Sequence, residues 1–178
     1  MLNREQNDRL CRVARGTPMG DLMRRFWQPV GISAELKANA QPQPIKVMGE
    51  ELVLFRTDAG QPGLLGRRCA HRLTSLAFGR VEDGGLRCPF HGWLYDVNGR
   101  CIHQPAEPLG STFKDKIKHI AYPCRDLGGL IFAYMGPEDR QPLLPNYETL
   151  VRDGGTRVTD VYSAGGNFLQ HIEGALGN

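Results

Sequence analysis

The chain has 178 residues, 40% hydrophobic and 23% charged, with 22 Gly and 12 Pro, the profile of a turn-rich globular protein long enough to bury one proper core. A net charge of +3, with no Lys/Arg run interleaved with aromatics, argues against nucleic acid or a membrane surface as partner. Residues 1–9 are too charged for a signal peptide, no 18-residue apolar run is present, and the five cysteines show no disulfide pairing logic, so a reducing, cytoplasmic compartment is expected.

Residues 3–15 read as a helix with Leu10, Val13 and Ala14 on one side, ended by Gly16. Thr17-Pro18 opens a second short helix reaching Phe26, with Thr17 as N-cap and Pro18 at the first helical position. From Gln28 the pattern changes to short β-rich runs, with strands at 28–33, 45–48 and 52–57, the last two joined at Gly49-Glu50. Residues 64–67 lead into a Cys-Ala-His loop, and Leu86-Arg87 into a Cys-Pro-Phe-His-Gly-Trp loop. Strands at 94–97 and 100–102 form a hairpin around Asn98-Gly99. After a loop at 105–115, strands at 120–124 and 130–135 close a mainly β unit of two or three small antiparallel sheets, with the two loops facing each other at one tip. Residues 136–145 form a Pro-rich linker. Beyond it, 157–162 alternates like the first strand of another sheet, and Asn167 caps a helix with Gln170 as its capping-box partner. Phe168, Ile172, Ala175 and Leu176 form an apolar stripe on that helix. The division expected is N-terminal helices at 1–27, a β domain at 28–136, a linker at 137–156 and the start of a further α+β domain at 157–178.

Chemistry concentrates in two boxes, Cys69-Ala70-His71 and Cys88-Pro89-Phe90-His91-Gly92-Trp93, with sixteen residues between His71 and Cys88. Each offers one thiolate and one imidazole. That set suits a [2Fe–2S] centre of the Rieske kind, in which two thiolates hold one iron and two imidazoles the other. Neutral imidazoles leave less negative charge on the cluster, so electrons enter more easily than in an all-Cys cluster. Cys2His2 is also a zinc ligand set, but zinc fingers pair Cys with Cys and His with His, whereas each box here mixes the two. Pro89 and Gly92 suit a tight loop that lays backbone N–H groups against sulfur. Arg72 and Trp93 adjoin the boxes as a docking face or as packing, and Tyr95 and Phe90 are expected to pack beneath and exclude water.

The boxes resemble those of the Rieske domain in ring-hydroxylating and demethylating non-haem iron oxygenases, oxygenase (alpha) subunits of the phthalate and phenoxybenzoate dioxygenase type. Similarity extends to Arg25-Phe26-Trp27-Gln28-Pro29-Val30, Leu76-Ala77-Phe78-Gly79, Gln104-Pro105-Ala106-Glu107 and Gly128-Gly129-Leu130-Ile131-Phe132-Ala133-Tyr134. The family usually has Pro at 70 and Gly at 73, where this chain has Ala and Leu. Respiratory Rieske proteins carry an extra, disulfide-bonded Cys in each box, where this chain has Thr74 and Phe90, and a Ser where it has Trp93. Fewer donors to sulfur imply a potential near the low end of the Rieske range.

The resemblance implies Cys69, His71, Cys88 and His91 as cluster ligands and an oxidoreductase role, with a stand-alone Rieske ferredoxin as the alternative. It implies a flavin/iron–sulfur reductase or ferredoxin as electron donor, and homotrimers for full-length members. A mononuclear Fe(II) for dioxygenation, monooxygenation or O-demethylation belongs to the full-length protein. Its His, His and Asp/Glu ligands lie beyond the segment of Asn167, Gln170, Glu173 and Gly174, and Gly177 aligns with an Asp that bridges subunits. His171 and Glu173 do not complete such a triad with His103 or His119, so a truncated subunit, unable to oxygenate alone, is expected.

Overall fold

The computed structural model describes residues 3–177; Met1, Leu2 and Asn178, which belong to the outermost predicted segments, lie outside the described residues. Helix α1 (Arg4–Cys11) is capped by Asn3 in a reciprocal capping box with Gln6, and α2 (Pro18–Met23) starts on the Thr17 cap with Pro18 in its first turn. The first helix ends four residues before its apolar pattern suggests. The Thr17 hydroxyl lies 2.7 Å from the carbonyls of Arg12 and Ala14, holding that stretch as a turn.

Eleven strands follow among the described residues: β1 (Trp27–Ile32), β2 (Gln43–Val47), β3 (Glu50–Arg56), β4 (Pro62–Gly66), β5 (Arg80–Glu82), β6 (Gly85–Arg87), β7 (Leu94–Asp96), β8 (Cys101–His103), β9 (Ala121–Tyr122), β10 (Cys124–Leu127) and β11 (Leu130–Tyr134). They form three antiparallel sheets in the orders β1-β11-β10, β2-β3-β4-β9 and β5-β6-β7-β8. The second sheet is the middle layer. Leu52 and Leu54 of β3 pack with Ile131 and Ala133 of the first sheet, while Val53 and Phe55 pack with Leu86, Tyr95 and Cys101 of the third. Burial on both faces explains why β3 reads as a continuous apolar run rather than an alternating one.

Turn chemistry sets the registers. Met48 and Gly49, and again Asp83 and Gly84, are paired left-handed residues (φ 44°, 83°, 50° and 74°) that close two-residue hairpins. The first turn therefore falls one residue before the predicted Gly49-Glu50. Asn98-Gly99 instead sits in a wider loop, where the Asp96 carboxylate accepts from the amides of Asn98 and Arg100. The single strand expected at 120–124 is two strands. Pro123 has no N–H to donate, and there the chain passes from the middle sheet to the first.

Arg24, 3% exposed, fastens the N-terminal helices to the middle sheet by donating to Glu50 and to the carbonyls of Val13, Gly20 and Met48. Tyr122 also donates to Glu50. Arg56 makes a bidentate pair with Asp126 at 2.8 and 2.9 Å, tying β3 to β10.

Beyond β11, a short helix α3 (Glu148–Val151) and helix α4 (Phe168–Leu176) follow, the latter with the predicted Asn167–Gln170 capping box. The strand expected at 157–162 is not formed. Val158, Val161 and Tyr162 are exposed and no ladder partner lies beside them among the described residues, so their alternation has no sheet to join. Helix α4 approaches α1, and the Asn167 side chain donates to the Cys11 carbonyl at 3.3 Å. Ile172 and Leu176 remain largely exposed. No described helix is long and apolar enough to cross a membrane.

Candidate metal centre

Two loops with one backbone plan meet at the end of the third sheet. In the first, leaving β4, the Cys69 amide donates to the Thr74 carbonyl and the Leu73 amide to the Cys69 carbonyl, both at 2.9 Å. In the second, between β6 and β7, the Cys88 amide donates to the Trp93 carbonyl at 2.8 Å and the Gly92 amide to the Cys88 carbonyl at 3.1 Å. The fifth residue of each loop must be left-handed for this closure. Gly92 meets that need at φ 72°, and a Cβ there would lie 2.9 Å from Pro105 Cγ. Leu73 holds φ 56° with a side chain, which costs about 1–2 kcal/mol relative to Gly. Partly buried Arg87 braces the second loop, donating to the Gly92 carbonyl at 2.8 Å and pairing with Glu82 and Asp83.

The plan turns backbone N–H groups toward sulfur, those of His71 and Arg72 to Cys69 and those of Phe90 and His91 to Cys88. Both thiols are buried, 1% and 4% exposed, and couple to each other. Interaction with Cys88 draws the Cys69 pKa well below the ordinary thiol value, helped by Tyr95 and the loop amides against the effect of burial. The same interaction, together with burial, pushes Cys88 up. Thiolate is the metal-binding form, so these donors stabilise what a metal would need.

The imidazoles sit on the other side of the thiols, exposed and paired with each other, His71 and His91 having ring centroids 4.7 Å apart. His71 lies flat on Trp93 (centroids 4.4 Å, planes 3° apart), and Phe90 packs on His91 at 3.9 Å. Of the two readings open for Trp93, packing holds: it is buried under His71 and offers no docking face. One expectation reverses, since Phe90 is mostly exposed at the tip rather than beneath it. The reason is the loop geometry: the residue before the histidine points outward, and the residue after Gly92 returns to the sheet. Arg72 is exposed, and with Phe90 it flanks the imidazoles.

Tyr95 is fully buried as expected, but it does more than pack. Its hydroxyl lies 3.2 Å from Cys69 Sγ, and burial first, then the Cys69 sulfur, raises its pKa far enough to keep it protonated. Behind it His119, read from sequence only as a failed iron ligand, is buried with its ring 4.9 Å from Tyr95 and its Nε2–H donating to the Gly66 carbonyl at 2.7 Å. Burial, opposed by that bond, lowers the His119 pKa. Neither contact is visible in sequence, although Tyr95 lies two residues along a strand from Trp93 on the same face.

His103 pairs with Arg87, His171 contacts the Gly165 carbonyl, and Glu173 is exposed on α4, so these residues do not converge. Among the described residues no three His, Cys, Asp or Glu side chains gather around one metal-ion position. The four donors come instead as a buried thiol pair and an exposed imidazole pair. This arrangement could hold a two-iron cluster with two protein ligands per iron, and donors already aimed at sulfur fit the charge of such a group.

A family model for the Rieske [2Fe–2S] domain matches residues 26–115. The chain is 46% identical over 165 residues to the phenoxybenzoate dioxygenase subunit alpha of Ectopseudomonas oleovorans, covering 92% of this chain and 40% of that protein. It is 45% identical over 179 residues to the 5,5'-dehydrodivanillate O-demethylase oxygenase subunit of a Sphingobium species, covering 99% and 42%. A crystal structure of dicamba monooxygenase with non-heme iron and dicamba superposes with TM-score 0.61 at 25% identity, covering 70% of this chain and 38% of that one. The chain thus spans about two fifths of the length of these relatives. Family match, sequence and superposition agree: this chain belongs to the Rieske [2Fe–2S] domain family, with oxygenase subunits among its relatives.

Proposed function

We propose that Cys69 and Cys88 hold one iron of a [2Fe–2S] cluster and His71 and His91 the other. The observation that carries this reading is the sorting of the donors, thiols paired and buried below, imidazoles paired and exposed above. When bound, such a cluster supplies one-electron transfer. Around it, the loop amides and the Tyr95 hydroxyl stabilise negative charge on sulfur, Trp93 fixes the His71 ring, and the core beneath excludes water. The exposed imidazole edges are the shortest route to a partner.

In the whole protein, residues 28–136 would be the cluster-bearing domain, 137–156 a linker and 157–178 the start of a catalytic domain. We read it as the electron-transfer portion of an aromatic-ring oxygenase, a dioxygenase, monooxygenase or O-demethylase, as the names of its relatives suggest. NAD(P)H-derived electrons would arrive through a flavin/iron–sulfur reductase or ferredoxin and pass to a mononuclear Fe(II) whose ligands are not among these residues. A cytoplasmic homotrimer would follow the same analogy.

The test is metal analysis of the purified chain and its variants. Two irons and two acid-labile sulfides per chain are expected. Cys69→Ser, Cys88→Ser, His71→Ala and His91→Ala should each lose the cluster. The loaded chain should accept an electron from a reductase and hydroxylate nothing by itself. A colourless protein with one zinc per chain would overturn the reading.

A further inference from the structure

A third segment flanks the two loops. Gln104 to Glu107 form a turn, closed by the Glu107 amide on the Gln104 carbonyl at 3.1 Å. Ala106 and Glu107 line the same hollow as His71, His91 and Trp93, and Pro105 sits against Gly92. The ladder of the third sheet ends with Leu94 opposite His103, so Gln104 leaves the sheet next to Trp93, on the face that carries Cys101 and Tyr95.

The Gln104 side chain is 6% exposed, and neither Nε2 nor Oε1 finds a hydrogen-bond partner among the described residues. Its nearest polar neighbour is the Cys101 thiol, whose pKa the amide acts to lower without a hydrogen bond of normal geometry, and Cys101 in turn feels the charge of Cys69. Leaving an amide dry and unpaired is costly, so a buried glutamine at this place calls for a partner. The core behind it supplies only the Cys101 thiol, a weak partner, whereas the sulfur atoms of a cluster held between the loops would be stronger acceptors.

We propose that the Gln104 amide donates an N–H to the sulfur face of the bound cluster and thereby raises its reduction potential. The inference rests on the ligand assignment above. Reduction adds negative charge to the cluster, so an N–H donor to sulfur binds the reduced form more tightly than the oxidised form. Together with Tyr95, Gln104 offsets part of what Trp93 forgoes by standing where respiratory proteins have a serine.

The experiment uses the iron-loaded chain. Gln104→Met keeps a side chain of similar size without the amide. At unchanged iron and sulfide content its one-electron reduction should be disfavoured by about tenfold, a fall of about 59 mV. A second measurement needs no variant: with side-chain 15N-labelled glutamine, pulsed EPR of the reduced wild-type protein should show one weakly coupled amide nitrogen. An unchanged potential in Gln104→Met, or absence of that coupling in wild type, would mean the amide is satisfied by Cys101 or water and the proposal is wrong. Failure of the wild-type chain to bind iron and sulfide would instead sink the ligand assignment, so the two outcomes are separable.

Discussion

Replacing Tyr95 by Phe removes one oxygen and leaves the ring that fills the core. The lost contact is the hydroxyl 3.2 Å from Cys69 Sγ. Because the hydroxyl is held protonated by burial and by the neighbouring sulfur, it is a donor throughout the neutral range. A hydrogen bond of this kind is worth about 0.5–1 kcal/mol more to the reduced than to the oxidised state, taking the ordinary net value of a protein hydrogen bond as the scale. For a one-electron couple, 1.4 kcal/mol corresponds to about 59 mV, so Tyr95→Phe should lower the midpoint by about 20–45 mV. The assay is a spectroelectrochemical titration of the visible absorption at fixed pH, with iron and sulfide content matched to wild type. A midpoint that moves by less than about 10 mV, or that rises, would refute the argument that this hydroxyl tunes the site.

Other outcomes follow from the same structure. Leu73→Gly should stabilise the first loop, because the left-handed residue at φ 56° sheds its Cβ strain against a smaller gain in unfolded-chain entropy; a net gain of about 0.5–1 kcal/mol should raise Tm by about 1–3 °C in a calorimetric scan. Glu50→Ala should cost about 2–4 kcal/mol in urea unfolding, since it leaves Arg24 buried without its carboxylate. Burial acts to raise the Glu50 pKa, but the hydrogen bonds from Tyr122 and Arg24 and the charge of Arg15 prevail and hold it below 4.5. Its contribution is therefore present in full above the ordinary carboxylate value and is lost as pH falls below it, so the destabilisation by Glu50→Ala should shrink in acid.

Much of this protein is legible in its sequence where local chemistry decides. The Thr17-Pro18 and Asn167–Gln170 caps form as read, because a cap is a contact between residues three apart. The mixed Cys/His boxes mark the site, since few other combinations bring a thiol and an imidazole to each of two loops. Strand β5 was missed although Asp83-Gly84 announces its hairpin, because a three-residue strand carries too little periodicity to register. The roles of Tyr95, Gln104 and His119 were out of reach for a different reason. Each depends on which residue a strand lays across from it, and register is a property of the folded sheets. Phe90 lies outside rather than beneath, and Trp93 packs inward, because the left-handed turn at Gly92 decides which of them points inward.

The central claim is that one iron is held by Cys69 and Cys88 and the other by His71 and His91. Mössbauer spectroscopy of the chain reconstituted with 57Fe tests it most directly. Two components of equal area with distinct isomer shifts, one from a sulfur-only iron and one from an iron with two nitrogen ligands, are expected. A single component from two equivalent irons would contradict it.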